Sequence, residues 1–111
     1  MYKIILSEHF RKQLKHLLKK DIHIISSLEK CLGDFEKNCG ILIRKNVYKI
    51  RLARDNSGKS SGYRMYLLLL EVDNILSPVC IYRRNEKGVL TSKELQFHID
   101  KVQFELDHRN I

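Results

Sequence analysis

The spacing of apolar residues changes from a helical to a strand-like period at Gly40, and this change constrains the fold more than any other feature. Before Gly40, apolar residues recur at helical spacing in two segments that meet near Asp21. After it, residues 46–54 (NVYKIRLAR) alternate apolar and basic side chains, as a strand with one buried face does. The pattern therefore predicts an α+β domain in which a helical pair precedes most of a sheet.

Signals at the ends of these segments divide the chain further. Ser7 follows the short strand MYKIIL and is placed to cap a first helix, and Asp21 is placed to cap a second that stops near Gly40. Pro78 favours an edge or a bulge in the last strand, and a capping box (Thr91 with Glu94) begins a last helix. We expect a small antiparallel sheet, made of the N-terminal strand and a three-stranded meander. Two N-terminal helices should pack on one face, with a C-terminal helix completing the fold.

The length of 111 residues fits a single domain that covers residues 1–111. No segment holds the roughly 18 consecutive apolar residues that a membrane span needs, and the N-terminal segment has no signal-peptide pattern. We therefore expect a cytoplasmic protein without a membrane partner. The cysteines show no metal-ligand spacing. His9, His16 and His23 recur every seven residues, but metal sites with this spacing are uncommon without carboxylate or cysteine partners, so the sequence predicts no metal and no cofactor.

Positive charge gives the first indication of function. The net charge is +8, with 21 Lys and Arg against 13 Asp and Glu. Such a charge favours a polyanionic partner when it is concentrated. Between residues 44 and 64 the only acid is Asp55, and the basic residues are Arg44, Lys45, Lys49, Arg51, Arg54, Lys59 and Arg64. Three tyrosines nearby offer aromatic surface for stacking on bases: Tyr63, Tyr66 and Tyr82. We expect a basic sheet face that binds nucleic acid.

The triplet Gly58-Lys59-Ser60 is similar to the end of a nucleotide phosphate-binding loop. That motif needs a glycine five residues before Gly58, where Ala53 stands, and a helix after it. A strand follows here instead. The triplet is therefore predicted to be the tip of a basic hairpin, where Lys59 either reaches a phosphate of a polymer or is simply solvated.

Three segments carry a family resemblance: YKIRLAR (residues 48–54), GKSSGYRMYLLLL (residues 58–70) and IYRRNEKGVLTSKEL (residues 81–95). Together they resemble the RelE/ParE superfamily of type II toxin-antitoxin toxins, and most of all its RelE/HigB-like branch. The resemblance implies a toxin that cuts messenger RNA in the ribosomal A site, without a metal ion. It also implies silencing by a cognate antitoxin, with operator DNA bound only through the antitoxin complex.

The implied reaction is attack of a ribose 2′-hydroxyl on the adjacent phosphate. It needs a proton acceptor, cations around the phosphorane-like oxygens and a donor to the leaving 5′-oxygen. The resemblance implies these catalytic residues: Lys49, Arg51, Arg64, Arg84 and Lys87. It implies these RNA-binding residues: Arg54, Lys59, Arg83 and Tyr82. A lysine accepts a proton only if neighbouring cations lower its pKa, and Lys49 beside Arg51 has that setting.

The chain departs from the family pattern at two points. RelE-type sites carry a tyrosine shortly after the last strand, where this chain has Val89-Leu90, and Arg84 stands where the HigB-like pattern has lysine. The identity of the general acid is therefore open. One alternative is a ParE-like inhibitor of DNA gyrase, which the dense basic face disfavours. Another is a non-catalytic RNA-binding module on the same scaffold, which the missing tyrosine favours. The antitoxin has two routes: an acidic segment over the basic face, or a helix against the helical pair.

Overall fold

The protein is described by a computed structural model that covers residues 1–53 and 62–109. Within these residues the strands are β1 (Lys3–Ile4), β2 (Ile41–Arg44), β3 (Val47–Leu52), β4 (Tyr63–Leu70) and β5 (Ile75–Arg83). The α-helices are α1 (Glu8–Leu18), α2 (Ile24–Gly33) and α3 (Ser92–Asp107), and a short 3-10 helix spans Lys37–Cys39. The α+β class is confirmed. None of these helices has the length and apolarity that crossing a bilayer requires.

The strands form one sheet in the order β1-β5-β4-β3-β2. The meander is antiparallel as predicted, but β1 pairs in parallel with β5, so that the sheet is mixed. The helices between β1 and the rest of the sheet supply the crossover that a parallel pair needs. A further strand, β2, forms a hairpin with β3 through Asn46, which adopts a positive φ of 65°. Its exposed run Ile41-Leu42-Ile43 does not alternate, and so its pattern does not reveal a strand.

The sheet has a helical layer on each face. Helices α1 and α2 cover one face, where Phe10 and Leu28 pack in a core with Met65 and Leu67. Helix α3 packs on the opposite face, and its buried residue Val102 belongs to a second core. The sheet residues of this second core include Val47, Tyr66, Leu68 and Cys80. The predicted pairing of the two N-terminal helices on one face is confirmed, and α3 occupies part of the face expected to be open.

Two of the three predicted helix caps are confirmed. The Ser7 hydroxyl accepts a hydrogen bond from the Phe10 amide at 3.0 Å, and Thr91 and Glu94 form the reciprocal capping box of α3. The prediction for Asp21 is wrong, because α2 begins at Ile24 and the N-cap residue is His23. The buried Asp21 carboxylate instead accepts hydrogen bonds from the His23 amide and, at 2.7 Å, from the Tyr63 hydroxyl. The helix also ends at Gly33, well before Gly40.

The free edge of β5 is closed by a side chain. Strand β1 pairs only with the first two residues of β5, which leaves the backbone beyond them without a strand partner on that side. The Gln13 amide of α1 donates to the Val79 carbonyl at 3.2 Å and accepts from the Ile81 amide at 3.1 Å. The register shifts beside Pro78, which confirms the bulge expected there.

Helix α3 is anchored from two sides. The Glu105 carboxylate accepts hydrogen bonds from the backbone amides of Glu8 and His9 at 2.7 and 3.0 Å, and so caps the start of α1. At its other end, α3 is held by Arg44 of β2, whose guanidinium donates to Gln96 Oε1 at 2.7 Å and Ser92 Oγ at 3.1 Å. These contacts join residues far apart in sequence, and they fix how much of the sheet α3 covers.

Candidate nucleic-acid interface

The register of β3, β4 and β5 brings the predicted basic residues onto one face. Residues paired across neighbouring strands project to the same side of a sheet. Arg64 is paired with Arg51 on one side and with Tyr82 on the other. The next row consists of Lys49, Tyr66 and Cys80. The sequence could not place Arg64 relative to Lys49 and Arg51, and the register puts all three side by side.

Helix α3 stops short of this part of the sheet. It covers the row formed by Val47 and Leu68, both of which are buried. Two positions further along β3, Lys49 is half-buried, and Arg51 at the end of the strand is exposed. A small cleft of about 120 Å³ lies here and is lined by Ile41, Lys49, Ile50, Arg51 and Arg64. We call this feature the cationic cleft.

The charges of the cationic cleft have no carboxylate partner within the described part of the chain. Among residues 1–53 and 62–109, no carboxylate forms an ion pair with Lys49, Arg51 or Arg64. Burial, followed by the charges of Arg64 and Arg51, lowers the pKa of Lys49 below its usual range. The cleft therefore combines two permanent cations with an amine whose proton is held less tightly than usual. Such a site attracts an anion, and its lysine is better prepared to accept a proton than an isolated lysine is.

Two tyrosines lie beneath the cleft. The Lys49 ammonium lies 5.8 Å from the centre of the Tyr66 ring, within range of a cation-π contact. The ring of Tyr82 is stacked against that of Tyr66 at 6.4 Å. The Tyr82 hydroxyl is buried without a hydrogen bond of good geometry in the described part of the chain, although the Tyr66 hydroxyl is close enough to influence it. Burial, together with Tyr66, raises the pKa of Tyr82, which stays protonated at neutral pH.

The expectation of three tyrosines available for stacking on bases is wrong in two cases. Tyr66 is 2% exposed, and so is Tyr63, which belongs to the core on the other face. Both rings belong to the core, and the Tyr63 hydroxyl also donates a hydrogen bond to Asp21. Only Tyr82 is partly accessible. The face is therefore suited to contacts with phosphates more than to stacking on several bases.

Arg83 and Arg84 lie at and just after the end of β5. The backbone amide of Arg84 donates to the Gly62 carbonyl at 3.0 Å, which ties the turn after β5 to the residue before β4, next to the pair of Tyr82 and Arg64. Arg83 is paired with Tyr63 and so lies on the opposite face, where its guanidinium is 3.4 Å from Glu86. Arg83 therefore does not join the cationic cleft.

Lys87 is held by an ion pair at the start of α3. Its ammonium contacts the Glu94 carboxylate, which also accepts a hydrogen bond from the Thr91 amide. These bonds lower the pKa of Glu94 to about 2, with the Lys87 contact as the largest cause. Lys87 lies close enough to Cys80 to influence the pKa of that thiol. Its charge, however, is paired with Glu94 at the start of α3. The predicted RNA-binding residues Arg54 and Lys59 lie outside the described residues, as does the tip Gly58-Lys59-Ser60.

Ile41 and Arg44 contribute to the site and were not predicted to do so. Ile41 is paired with Lys49 in the register of β2 and β3, and it forms the apolar rim of the cleft. Arg44 was predicted only as part of the basic surface, whereas its bonds to Gln96 and Ser92 hold α3 back from the cleft. Both roles depend on pairings between distant segments, for which the sequence carries no local signal.

Comparisons with known proteins identify the fold. No family model and no curated protein matches the sequence. Among solved structures, the chain is similar to E. coli toxin RelE, in a double arginine-to-alanine mutant in the free state. The match has a TM-score of 0.53 and 16% sequence identity, and it covers 91% of this chain and 97% of that chain. The protein is thus an α+β domain with an open cationic sheet face, and its fold is RelE-like. At the level of the fold, the predicted resemblance is confirmed.

Proposed function

We propose that this protein is the toxin of a toxin-antitoxin module and that it cleaves messenger RNA on the ribosome. The observation that carries the proposal is the pairing of Arg51 with Arg64 beside Lys49, on the open part of the sheet. A RelE-like fold supports the same function, since the solved structure it matches is that of a toxin. Three cations around one cleft suit the charge that develops on a phosphate under attack.

The proposed roles follow from the position and charge of each residue. Lys49 accepts the proton of the ribose 2′-hydroxyl, because its lowered pKa leaves a larger fraction of the amine free. The 2′-oxygen then attacks phosphorus, and Arg51 and Arg64 stabilise the negative oxygens of the transition state. The bond to the 5′-oxygen breaks and leaves a cyclic phosphate.

Three further residues complete the proposed site. Tyr82 is partly accessible beside the cleft and contacts the RNA through its ring, because its hydroxyl is buried. The leaving 5′-oxygen takes up a proton as its bond to phosphorus breaks, and Arg84 and Lys87 are the two proposed donors of that proton. Lys87 must first give up its ion pair with Glu94.

We further propose that a cognate antitoxin covers the cationic cleft with an acidic segment. Lys49, Arg51 and Arg64 form no ion pair with a described carboxylate, and this supports the acidic segment over a helix laid against α1 and α2. Contact with operator DNA would then come through the antitoxin complex. A cytoplasmic location, where ribosomes and messenger RNA are present, completes the proposal.

Cleavage on programmed ribosomes tests the function. Purified protein is added to ribosomes that hold a defined messenger RNA, and the new 5′ ends are mapped. We expect ends at A-site codons with the wild type, none with Arg64→Ala, and wild-type ends with Lys30→Ala, which removes one exposed charge from α2. Intact messenger RNA together with inhibited gyrase supercoiling would instead indicate the ParE-like function. Intact messenger RNA with retained RNA binding would indicate a non-catalytic module.

A further inference from the structure

The outward face of α1 and the two residues after it carry basic side chains in two adjacent rows. One row consists of Arg11, Lys15 and Lys19, and the other of Lys12, His16 and Lys20; all six are exposed. Residues four apart on a helix lie on the same face about 6 Å apart. Leu14 and Leu17 point the other way and are buried against the sheet. We call these two rows the α1 track.

Positive charge is denser on the α1 track than on the other two described α-helices. Residues 8–20 contain five Lys and Arg but one acid, Glu8, whose contact with Lys12 joins two side chains that are each 76% exposed. A pair so exposed is weak. In contrast, α2 has one Glu and one Lys, and α3 has four acids against two Lys. Like charges four residues apart destabilise a helix, an effect that a bound polyanion would remove.

The track continues past the end of α1 to the end of β5. The Lys20 ammonium lies 4.0 Å from Glu86, and the same carboxylate oxygen lies 3.4 Å from the Arg83 guanidinium. A groove of about 390 Å³ runs here between α1 and β5 and includes Lys12, His16 and Glu86 in its lining. Arg83 belongs to this side of the sheet, and its neighbour Tyr82 faces the side of the cationic cleft. The two basic surfaces therefore meet around the end of β5.

The side chains of the α1 track indicate which kind of partner would bind it. Within the two rows the one aromatic ring is the small imidazole of His16, since Phe10 is completely buried, so the rows offer no large ring on which several bases could stack. The rows also lack the exposed apolar anchors by which protein partners are usually held. What remains is a straight, regular array of cations, which matches the regular charges of a nucleic-acid backbone.

We propose that the α1 track binds the sugar-phosphate backbone of double-stranded RNA, independently of sequence. The inference rests on the proposed function in one respect: structured ribosomal RNA is the duplex that a ribosome-dependent toxin meets. The track would then hold the toxin on the ribosome while the cationic cleft, on the opposite face, engages the messenger RNA. Arg83, predicted as an RNA-binding residue, would act with the track.

Binding to a short RNA hairpin without single-stranded extensions tests the proposal. The track variant is Arg11→Gln/Lys15→Gln/Lys19→Gln, and the matched control is Lys3→Gln/Lys30→Gln/Lys93→Gln, which removes the same charge from scattered exposed positions. Glutamine keeps the helix propensity of lysine and arginine, so both variants should fold. We expect the track variant to bind at least tenfold more weakly and to lower the slope of log affinity against log salt by about two to three. Glu86→Gln should strengthen binding, because it releases Lys20 and Arg83.

Two results would overturn the proposal. One is equal loss in the track variant and the control, which would show only an effect of net charge. The other is a wild type that prefers an acidic peptide to the hairpin or fails to bind the hairpin. Arg64→Ala separates this inference from the proposed function, because it should abolish cleavage, whereas the track changes added to it should still weaken hairpin binding at least tenfold. A wild type that does not cleave messenger RNA, with hairpin binding still weakened in the track variant, would contradict the proposed function and support the α1 track as an RNA-binding surface.

Discussion

Arg51 of β3 and Arg64 of β4 occupy directly paired positions, with their side chains on the same face of the sheet. Like charges in such a cross-strand pair destabilise it. The pair therefore lowers the stability of the free protein, and the proposed function accounts for it because both cations are needed around one phosphate.

The first prediction is that Arg51→Gln stabilises the protein while abolishing cleavage. Removal of one charge should raise the free energy of unfolding by up to about 0.5 kcal/mol at low salt, since cross-strand pairs contribute in this range. The gain should shrink as salt screens the repulsion. Urea denaturation at two salt concentrations measures it, with Lys3→Gln as a control for net charge. A loss of stability in Arg51→Gln would contradict the account.

The second prediction concerns the protonation of Lys49. In the free protein its ammonium should titrate below 10.5, because burial and the two arginines disfavour the charged form. Arg64→Gln removes one of these charges and should move the pKa of Lys49 upward. NMR titration of the lysine Nζ groups measures both values. An unchanged Lys49 pKa in Arg64→Gln would show that the arginine does not influence the proposed base.

Lys49→Arg makes a related and separate test of the base. Arginine preserves the positive charge but stays protonated throughout the working range. We expect RNA binding near the wild-type level and loss of cleavage in single-turnover measurements. Cleavage at the wild-type rate would assign proton transfer to another group.

The third prediction concerns the hydrogen bond between Tyr63 and Asp21. Tyr63→Phe removes the hydroxyl that donates to the buried carboxylate at 2.7 Å. The free energy of unfolding should fall by about 1–3 kcal/mol, the usual cost when a buried polar group loses one of its hydrogen bonds. Chemical denaturation measures it, and Tyr2→Phe, at a partly exposed tyrosine, is the matched control. Equal stability of the two variants would mean that this bond does not hold the α1–α2 turn to the sheet.

The fourth prediction is a dependence of stability on pH through Glu94. Its folded pKa of about 2 lies below the ordinary value of 4.5, so the unfolded chain binds the proton more readily. The contribution is fully present above 4.5 and is lost as pH falls toward 2. Glu94→Gln should weaken this dependence, as seen in melting temperatures measured across the acid range. The same variant frees Lys87 and should leave its charge available to RNA. Identical pH profiles for the variant and the wild type would contradict this assignment.

Much of the fold follows from local patterns in the sequence. The change of period at Gly40, the Ser7 cap and the Thr91–Glu94 box each predict structure from residues a few positions apart, and each is confirmed. The strand β2 is missed because its exposed apolar residues do not alternate. Asp21 is misassigned because a distant partner, Tyr63, draws its carboxylate into the core.

The candidate site is only partly readable from sequence, because it depends on register. Basic residues on different strands join one surface only if pairing aligns them, as it does for Lys49, Arg51 and Arg64. One signal was available: adjacent residues of a strand face opposite sides, which separates Arg83 from Tyr82. The ion pair between Lys87 and Glu94 depends on how α3 packs on the sheet, and no local sequence pattern specifies that packing.

The central claim is that the ribose 2′-hydroxyl of ribosome-bound messenger RNA is the nucleophile in a reaction run by the cationic cleft. The most direct measurement uses a messenger RNA with a single 2′-deoxy nucleotide at the mapped cleavage position, placed in the A site of programmed ribosomes. The account predicts that wild-type protein cuts the all-ribose message and leaves a cyclic phosphate, whereas the substituted message stays intact at that position. Cleavage of the 2′-deoxy message at the same position would contradict it.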